Sequence, residues 1–437
     1  MLHQKIAISI IQTINPNYII TNHFKFMLKL KHLFVTLIIF TLFTACNNNQ
    51  EEVKPNNETT VEQTDISKLK AGDIIPGMYV VTYNSQNARL NLAGKNFRAR
   101  KSTVRNYTSR LLKEDFKVPT KNIYKAYGTA IQGFSAKLTE KQVAALKKDP
   151  RIAAIEPDRI LSINYKKEKK YFKAFAQSTP WGINRVGSAS GAGKTAWVID
   201  TGVDLDHPDL NVDVNRSVSF AGLYFWIWRI GDDTDPNDGN GHGTHVAGTI
   251  AAKNDGNGVV GVAYGATVVG VKVLGSGGSG STSDIVDGID YVAANASPGD
   301  VANLSLGGGV STALDNAVIN LGNTGVLVAL AAGNENQNAN NVSPARTNHP
   351  NVVTVSAMDS NDNFASFSNY GNAVDYCAPG VSVNSTWNNG GYRSISGTSM
   401  ASPHVAGLLL LKGNTNLSTD GTVNGDPDGN ADPIAVK

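Results

Sequence analysis

The spacing of apolar residues changes character along this chain, and each change marks a different kind of structure. Over residues 74–163, short apolar runs alternate with helical spacing. Residues 78–83 (M-Y-V-V-T-Y) are β-branched and aromatic and read as a strand. Val104, Tyr107, Leu111 and Leu112 fall near one face of a helix over 101–116. Residues 124–127 and 133–138 are two further strands, Thr139 opens a helix with acid early and base late, and 152–156 is a last strand. The order β-α-β-β-α-β is that of a small ferredoxin-like α+β domain. Residues 164–179 are charged and read as a linker. Over 180–437 the apolar runs become continuous: 197–199, 267–273, 301–306, 326–331 and 352–356, each bounded by Gly, Asn or Asp, with helical spacing between most of them. Continuous runs suit strands buried on both faces, which predicts an α/β domain of three layers around a mainly parallel central sheet.

The front of the chain carries a different pattern. Residues 27–46 begin with Lys29 and Lys31, continue through an apolar run at 33–43 that is too short to span a bilayer comfortably, and end in Thr44, Ala45 and Cys46. This is similar to a bacterial lipoprotein signal, with Cys46 as the lipidated residue; an ordinary cleaved signal that happens to end near a cysteine is the alternative. Such a signal starts at its own methionine, so Met27 is the expected start and residues 1–26 an over-extension. Residues 47–73 are polar without an apolar period and read as a flexible tether.

Charge sharpens this division. From Gln177 onward there are 10 Lys and Arg against 23 Asp and Glu, a net −13, whereas the residues before it hold 29 against 13, a net +16. Opposite nets on two predicted domains imply that they attract each other. The basic residues are scattered among apolar ones without a nucleic-acid motif, so no nucleic-acid partner is expected. Two cysteines, Cys46 and Cys377, exclude a disulfide scaffold, and Cys377 reads as a small packed apolar residue.

Three motifs carry candidate chemistry. V-I-D-T-G-V at 198–203 is an apolar strand ending in Asp200, at the carboxyl edge where open parallel sheets gather their sites. N-G-H-G-T-H-V-A-G-T-I at 240–250 places His242 near the start of a tightly packed helix. G-T-S-M-A-S-P-H-V-A-G at 397–407 places Ser399 at the start of another, with Pro403 expected in its first turn. Singly, an Asp after a strand or a Ser before a helix is often only a cap. Together they supply what acyl transfer needs: a hydroxyl too weak to attack alone, an imidazole to take its proton, and a carboxylate to orient the imidazole. A metal site at His242 and His245 lacks a carboxylate at zinc-protease spacing, and G-A-G-K-T at 191–195 lacks the leading glycine and strand of a phosphate loop.

On these motifs the chain resembles the subtilases, and among them the proteinase K branch, over about residues 180–410. The resemblance implies a subtilisin-like fold and a serine endopeptidase, with Asp200, His242 and Ser399 as catalytic residues and His245 structural. It implies Asn334, in A-L-A-A-G-N-E, as oxyanion donor together with the Ser399 backbone N–H. It implies one substrate wall from Leu304, Ser305, Leu306, Gly307 and Gly308 and a facing wall from Ala331, Ala332 and Gly333. Small residues on both walls imply an open pocket for apolar or aromatic side chains. It implies a structural calcium ion held by Pro350, Val352 and Asp375, with a metal-free surface aspartate as the alternative. Residues 74–163 resemble the family's inhibitor propeptide, best in Y-G-T-A-I-Q-G-F-S-A-K-L-T-E, so the expected partners are protein or peptide substrates and the chain's own propeptide. Its tail is expected to thread the active-site cleft, with processing between Tyr165 and Trp181, most plainly between Phe175 and Ala176. Membrane contact is expected only through a lipid anchor on the precursor.

Two features depart from the family. The aromatic run L-Y-F-W-I-W-R-I at 223–230 has no counterpart and reads as an edge hairpin or an exposed patch. The chain ends 33 residues after His404 in a Gly-, Asn- and Asp-rich tail, so exposed core surface and a disordered D-P-D-G-N-A-D run are expected. The rival from another class is a catalytically silent surface lipoprotein using the same fold as a binding module. A lipase or esterase is excluded because no G-x-S-x-G elbow surrounds Ser399.

Overall fold

The computed structural model describes residues 69–172, 176–225 and 228–437, with backbone alone for 167–172, 223–225 and 228–230. Cys46 and the signal-like segment lie outside the described residues, as does Phe175. Among the described residues no helix is long and apolar enough to cross a membrane.

The front domain has the expected order. Strand β1 (Ile74–Tyr83) is followed by α1 (Phe97–Glu114), β2 (Ile123–Tyr127), β3 (Gly133–Lys137), α2 (Glu140–Leu146) and β4 (Ile152–Ser162). The sheet order is β4-β1-β3-β2, antiparallel throughout. Helix α2 starts where its sequence dictates, since Thr139 and Gln142 form a reciprocal capping box. Beyond it the chain departs from expectation. β4 runs six residues past the apolar stretch, and Lys166–Phe172, read as linker, forms a strand, β5.

The back domain is built on a ten-stranded sheet. Its strands are β6 (Thr195–Asp200), β9 (Thr267–Lys272), β11 (Val301–Leu304), β13 (Leu327–Ala331), β14 (Val352–Met358), β15 (Tyr376–Pro379), β18 (Ser418–Thr422) and β19 (Pro433–Val436). They lie in the order β18-β19-β15-β14-β13-β11-β6-β9, with the short strands Asn211–Val212 and Val218–Ser219 both on β9. Every neighbour pair is parallel except β18 with β19. The hairpin β7 (Gly222–Phe225) and β8 (Trp228–Asp232) holds the aromatic run. Outside the main sheet lie β10 (Ser279–Ser281), β12 (Gly307–Gly308), β16 (Val383–Trp387) and β17 (Gly391–Ser396).

The four helices that matter are α3 (His242–Ala251), α4 (Thr282–Asn295), α5 (Thr312–Asn323) and α6 (Thr398–Lys412). The alternation along β6 explains the three layers. Ala196 and Val198 face a core shared with α3 and α6, whereas Trp197 and Ile199 face a second core shared with α4 and α5. Each fully buried aliphatic side chain there contributes about 1.5–3 kcal/mol. The second core also takes Val80, Tyr127 and Leu161 from the front domain, so the two domains share buried apolar surface.

The tail is not disordered. Strand β19 adds to the sheet edge beside β15, with Ile434 opposite Cys377, and Val423 and Ile434 are buried against Met358 and Cys377. The layer feared missing is supplied by the last residues of the chain.

Candidate active site

β6 delivers Asp200 to the carboxyl edge of the sheet, where the chain turns through Gly202. The start of α3 lies directly on that turn: a Cβ on Gly243 would come within 2.0 Å of the Gly202 carbonyl oxygen, so only glycine lets the helix approach. The result is a buried pair. His242 Nδ1 lies 2.8 and 3.0 Å from the two carboxylate oxygens of Asp200, and neither side chain is exposed. Nδ1 therefore carries the proton it donates to the carboxylate, which leaves Nε2 as a base, buried and with no hydrogen-bond partner.

Asp238 bolts the two halves together, and sequence reasoning missed it. Its Oδ1 accepts from Thr201 Oγ1 at 2.9 Å and from the Gly241 N–H at 2.8 Å, and its Oδ2 accepts from the N–H and hydroxyl of Thr244. The available signal was an acid inside D-G-N-G-H, two glycines before the histidine.

Ser399 lies in the first turn of α6 and is 3% exposed. Pro403 sits in the second turn, not the first. Its missing N–H would otherwise bond the Ser399 carbonyl, and that carbonyl instead accepts from Ser305 Oγ at 2.9 Å. A buried polar chain continues from there: Asn303 Nδ2 donates to Ser305 Oγ, and Ser402 Oγ donates to Asn303 Oδ1. The Ser399 hydroxyl donates to the Ser305 carbonyl at 3.2 Å. Among the described residues this hydroxyl is not hydrogen-bonded to His242 Nε2, which has no partner.

Asn334 is held by α6 itself, since its Oδ1 accepts from the Thr398 N–H at 2.8 Å and from Thr398 Oγ1 at 3.0 Å. That orients Nδ2 outward, where it donates to the carbonyl oxygen of Asn164. The end of the front domain thus lies in the cleft. Leu161 and Ser162 are paired antiparallel on both sides, with Gly280 and Ser279 of β10 and with Gly308 and Gly307 of β12. Tyr165, the residue after Asn164, has its ring centroid 5.3 Å from that of His242, tilted by 35°. A cavity of about 310 Å³ opens beside Asn164, lined by Leu306, Gly307, Ala331, Gly333 and Val342. The backbone at the site is therefore that of Asn164 and Tyr165, while Phe175, at the expected junction, lies outside the described residues.

Of the predicted walls, Leu306, Gly307, Gly308, Ala331 and Gly333 reach the cleft. Leu304, Ser305 and Ala332 do not. Strand alternation turns Leu304 into the second core, Ser305 lies beneath Ser399, and Ala332 is fully buried with its backbone bonded to Val355 and Asn369. Glu335 stands at the rim, accepting from the Asn334 N–H.

Among the described residues there is no group of three or more His, Cys, Asp or Glu placed to hold a metal. His245 Nε2 lies 3.0 Å from the Val383 carbonyl and 3.1 Å from that of Arg393, so it is a donor to backbone. Burial pushes its pKa down to about 3, and that of His404, whose Nδ1 donates to the Met400 carbonyl, to about 4. Both are neutral when folded but titrate near 6.5 when unfolded. The unfolded chain therefore binds the extra protons, and the stability these residues confer is complete above pH ~6.5 and lost as pH falls toward 4 and 3. Nitrogen-15 spectra of the Ser399→Ala protein are expected to show both imidazoles neutral at pH 5.5; a protonated signal from either contradicts their backbone-donor role.

The front domain docks through charge of both signs. Lys125, buried on β2, lies 3.3 Å from Asp284, 3.4 Å from Asp287 and 3.1 Å from Asp232, and Lys101 lies 2.6 Å from Asp287. In the other direction, Asp158 accepts from the Ser283 N–H at the start of α4, and Glu156 accepts from Ser311 Oγ, Thr312 N–H and Ala313 N–H at the start of α5. Carboxylates there meet the unpaired N–H groups and positive end of each helix.

With this geometry in hand, comparison with known proteins decides the family. Residues 191–420 match the model of the subtilase family, and residues 78–164 match that of the peptidase inhibitor I9. The chain belongs to the subtilase family. It is a subtilisin-like serine protease with an inhibitor propeptide. It is 46% identical over 305 residues to Alkaline serine exoprotease A of Vibrio alginolyticus, a match covering 66% of this chain and about half, 53%, of that relative's length. It is 35% identical to the Extracellular serine proteinase of a Thermus species, covering 86% of this chain and 88% of that one. A solved cold adapted subtilisin-like serine proteinase superposes with a TM-score of 0.51 at 43% identity, covering 59% of this chain and 97% of that one. The I9 match ends at Asn164, the residue held by Asn334.

Proposed function

We propose that this chain is an exported endopeptidase zymogen that first cuts its own bond between Asn164 and Tyr165 and then hydrolyses proteins with broad, mainly apolar and aromatic specificity. The observation that carries this reading is the Asn164 carbonyl, bonded to Asn334 in the same cleft as Ser399, the buried Asp200–His242 pair and two flanking strands. In this mechanism His242 Nε2 takes the Ser399 proton as Oγ attacks the Asn164 carbonyl. Asp200 stabilises the imidazolium, and Asn334 Nδ2 with the Ser399 backbone N–H holds the oxyanion. The Tyr165 amine leaves with the proton from His242, and water then releases Asn164 as a carboxylate. The propeptide stays docked as a bound product. Mass spectrometry of freshly folded protein should find a first fragment ending at Asn164; a first fragment ending elsewhere refutes the assigned bond. Cleavage of a peptide library only after charged residues would refute the specificity. Export is supported by the extracellular relative.

A calcium ion at Pro350, Val352 and Asp375 is the family's stabilising device, and the residues fit one. Asp375 is exposed, and its Oδ2 accepts from the Thr354 N–H at 2.8 Å, which fixes the carboxylate beside the start of β14 and leaves it open to a hard cation. The Pro350 carbonyl accepts from Thr415 Oγ1 at 2.8 Å and keeps a second lone pair. Such an ion would bind oxygen donors and supply charge compensation, not chemistry. Chelation is expected to lower Tm by roughly 5–10 °C, the effect of losing about 2.7 kcal/mol of binding at a hundredfold excess over Kd. Calcium should restore it, and Asp375→Asn should abolish the response; an unchanged Tm on chelation refutes the site.

A further inference from the structure

The chain does not leave the cleft after Tyr165. Residues Lys166–Phe172 continue as β5 and add to the hairpin of β16 and β17 as a third strand, in the order β16-β17-β5. The pairing with β17 is antiparallel: Lys166 opposite Ser396, Lys167 opposite Ile395, Tyr171 opposite Arg393 and Phe172 opposite Tyr392, with one register shift between. Ser396 is three residues before Ser399, so β17 is the strand that leads into the nucleophile. One edge of β17 is taken by β16, and the other carries only β5 among the described residues. A polypeptide crossing the site is therefore strand-paired before the bond, at 161–162, and for up to eight residues after it.

We propose that the outer edge of β17 is a binding track for extended polypeptide on the leaving-group side, reaching to the eighth residue beyond the cut, and that Lys166–Phe172 is its tethered first occupant. This rests on the cut between Asn164 and Tyr165. Hydrolysis there adds one water across a single bond, leaving a carboxylate on Asn164 and an amine on Tyr165. It frees the propeptide side only. Strand β5 remains joined to the peptidase domain, whose next described residues are fixed by the Gln177 and Ser178 N–H bonds to the carbonyls of Gly256 and Gly258. A strand tethered this closely has a high effective concentration, so a substrate long on the leaving-group side must displace it, whereas a short one need not. Backbone pairing is the recognition, so the ligand class is any unfolded chain that can lie extended.

The test uses the full chain, allowed to cut itself, with two quenched fluorogenic peptides that are identical up to the second residue after the scissile bond and carry two or eight residues beyond it. Intact mass is followed in parallel. Once dilution has released the propeptide, cut protein that still begins at Tyr165 should cleave the eight-residue peptide about tenfold less efficiently, in kcat/KM, than protein whose mass shows removal of the segment beginning at Tyr165. A Lys167→Pro, Tyr171→Pro double variant, which removes two N–H donors from β5, should show the higher value as soon as its propeptide has dissociated, with the segment still attached. The short peptide should be cleaved equally by all three. Equal kcat/KM for long and short peptides in the trimmed protein would overturn the track. A proline variant matching its parent on the long peptide would overturn the tethered occupant. A first fragment not ending at Asn164 would instead overturn the assigned bond, and this inference with it.

Discussion

Replacing Ser399 with Ala is expected to leave a full-length precursor that never matures and never labels with a fluorophosphonate. The loss in kcat should be roughly a millionfold, the magnitude found for removing this residue in subtilisin itself, not one derived from the present geometry. The reason is local. His242 Nε2 is a base with one available client, and Asn334 holds the carbonyl that Ser399 would attack. Without the hydroxyl, both remain assembled around an intact bond. Because, among the described residues, Ser399 Oγ bonds only the Ser305 carbonyl, its loss should leave the fold untouched, with an unchanged Tm. Maturation of the Ala variant at the normal rate with no other protease present would show that self-processing is wrong, and labelling of the unsubstituted matured protein separates that failure from loss of catalysis as such.

Most of this site was legible because its parts are local. An apolar run ending in Asp200 has to be a strand that stops at a sheet edge, and Gly-flanked His242 and Ser399 have to start helices that approach closely. The five apolar runs became β6, β9, β11, β13 and β14 for the same reason: continuous burial leaves a continuous pattern. What escaped was non-local. The last residues of β4 are paired by Gly280, Gly307 and Gly308, partners with no apolar signature, so the strand seemed to stop at Glu156. Strand β5, K-K-E-K-K-Y-F, is defined by backbone pairing with β17, and its charges read as solvated linker. The expected junction near Phe175 rested on side-chain size and lies outside the described residues, whereas the proposed cut after Asn164 rests on backbone register in the cleft. The D-P-D-G-N-A-D tail looked disordered because the two buried anchors that order it, Val423 and Ile434, flank it. The Asn303–Ser305–Ser402 chain could not be foreseen, because it compensates for the carbonyl that Pro403 frees in three dimensions.

Lys125→Met is expected to shorten the inhibited phase after the first cut by about a hundredfold or more. The charge split along the sequence pointed to attraction between the domains, and the structure concentrates it at this one ammonium, 4% exposed, among Asp232, Asp284 and Asp287. Methionine keeps most of the volume and the apolar stem but takes this cation from the buried Asp284 and Asp287, while Asp232 is half exposed to solvent. Removing one partner of a buried ion cluster costs about 3–5 kcal/mol, most of it the penalty on the charges left behind. At 1.36 kcal/mol per tenfold, that is a hundredfold to a few thousandfold in propeptide affinity, and truncation of a buried charge acts mainly on dissociation. Lys101 also reaches Asp287, which limits the loss. The measurement is the lag before peptide hydrolysis appears when cut precursor is diluted. The self-cut itself should still occur, because Glu156, Asp158 and the strand pairs at Leu161 and Ser162 continue to seat Asn164. Adding salt should shorten the lag of the parent more than that of the variant, since an ion pair screened at its edges loses strength and a thioether does not. A lag unchanged by Lys125→Met would mean that apolar contact through Tyr127 and Leu161, not charge, holds the propeptide in place.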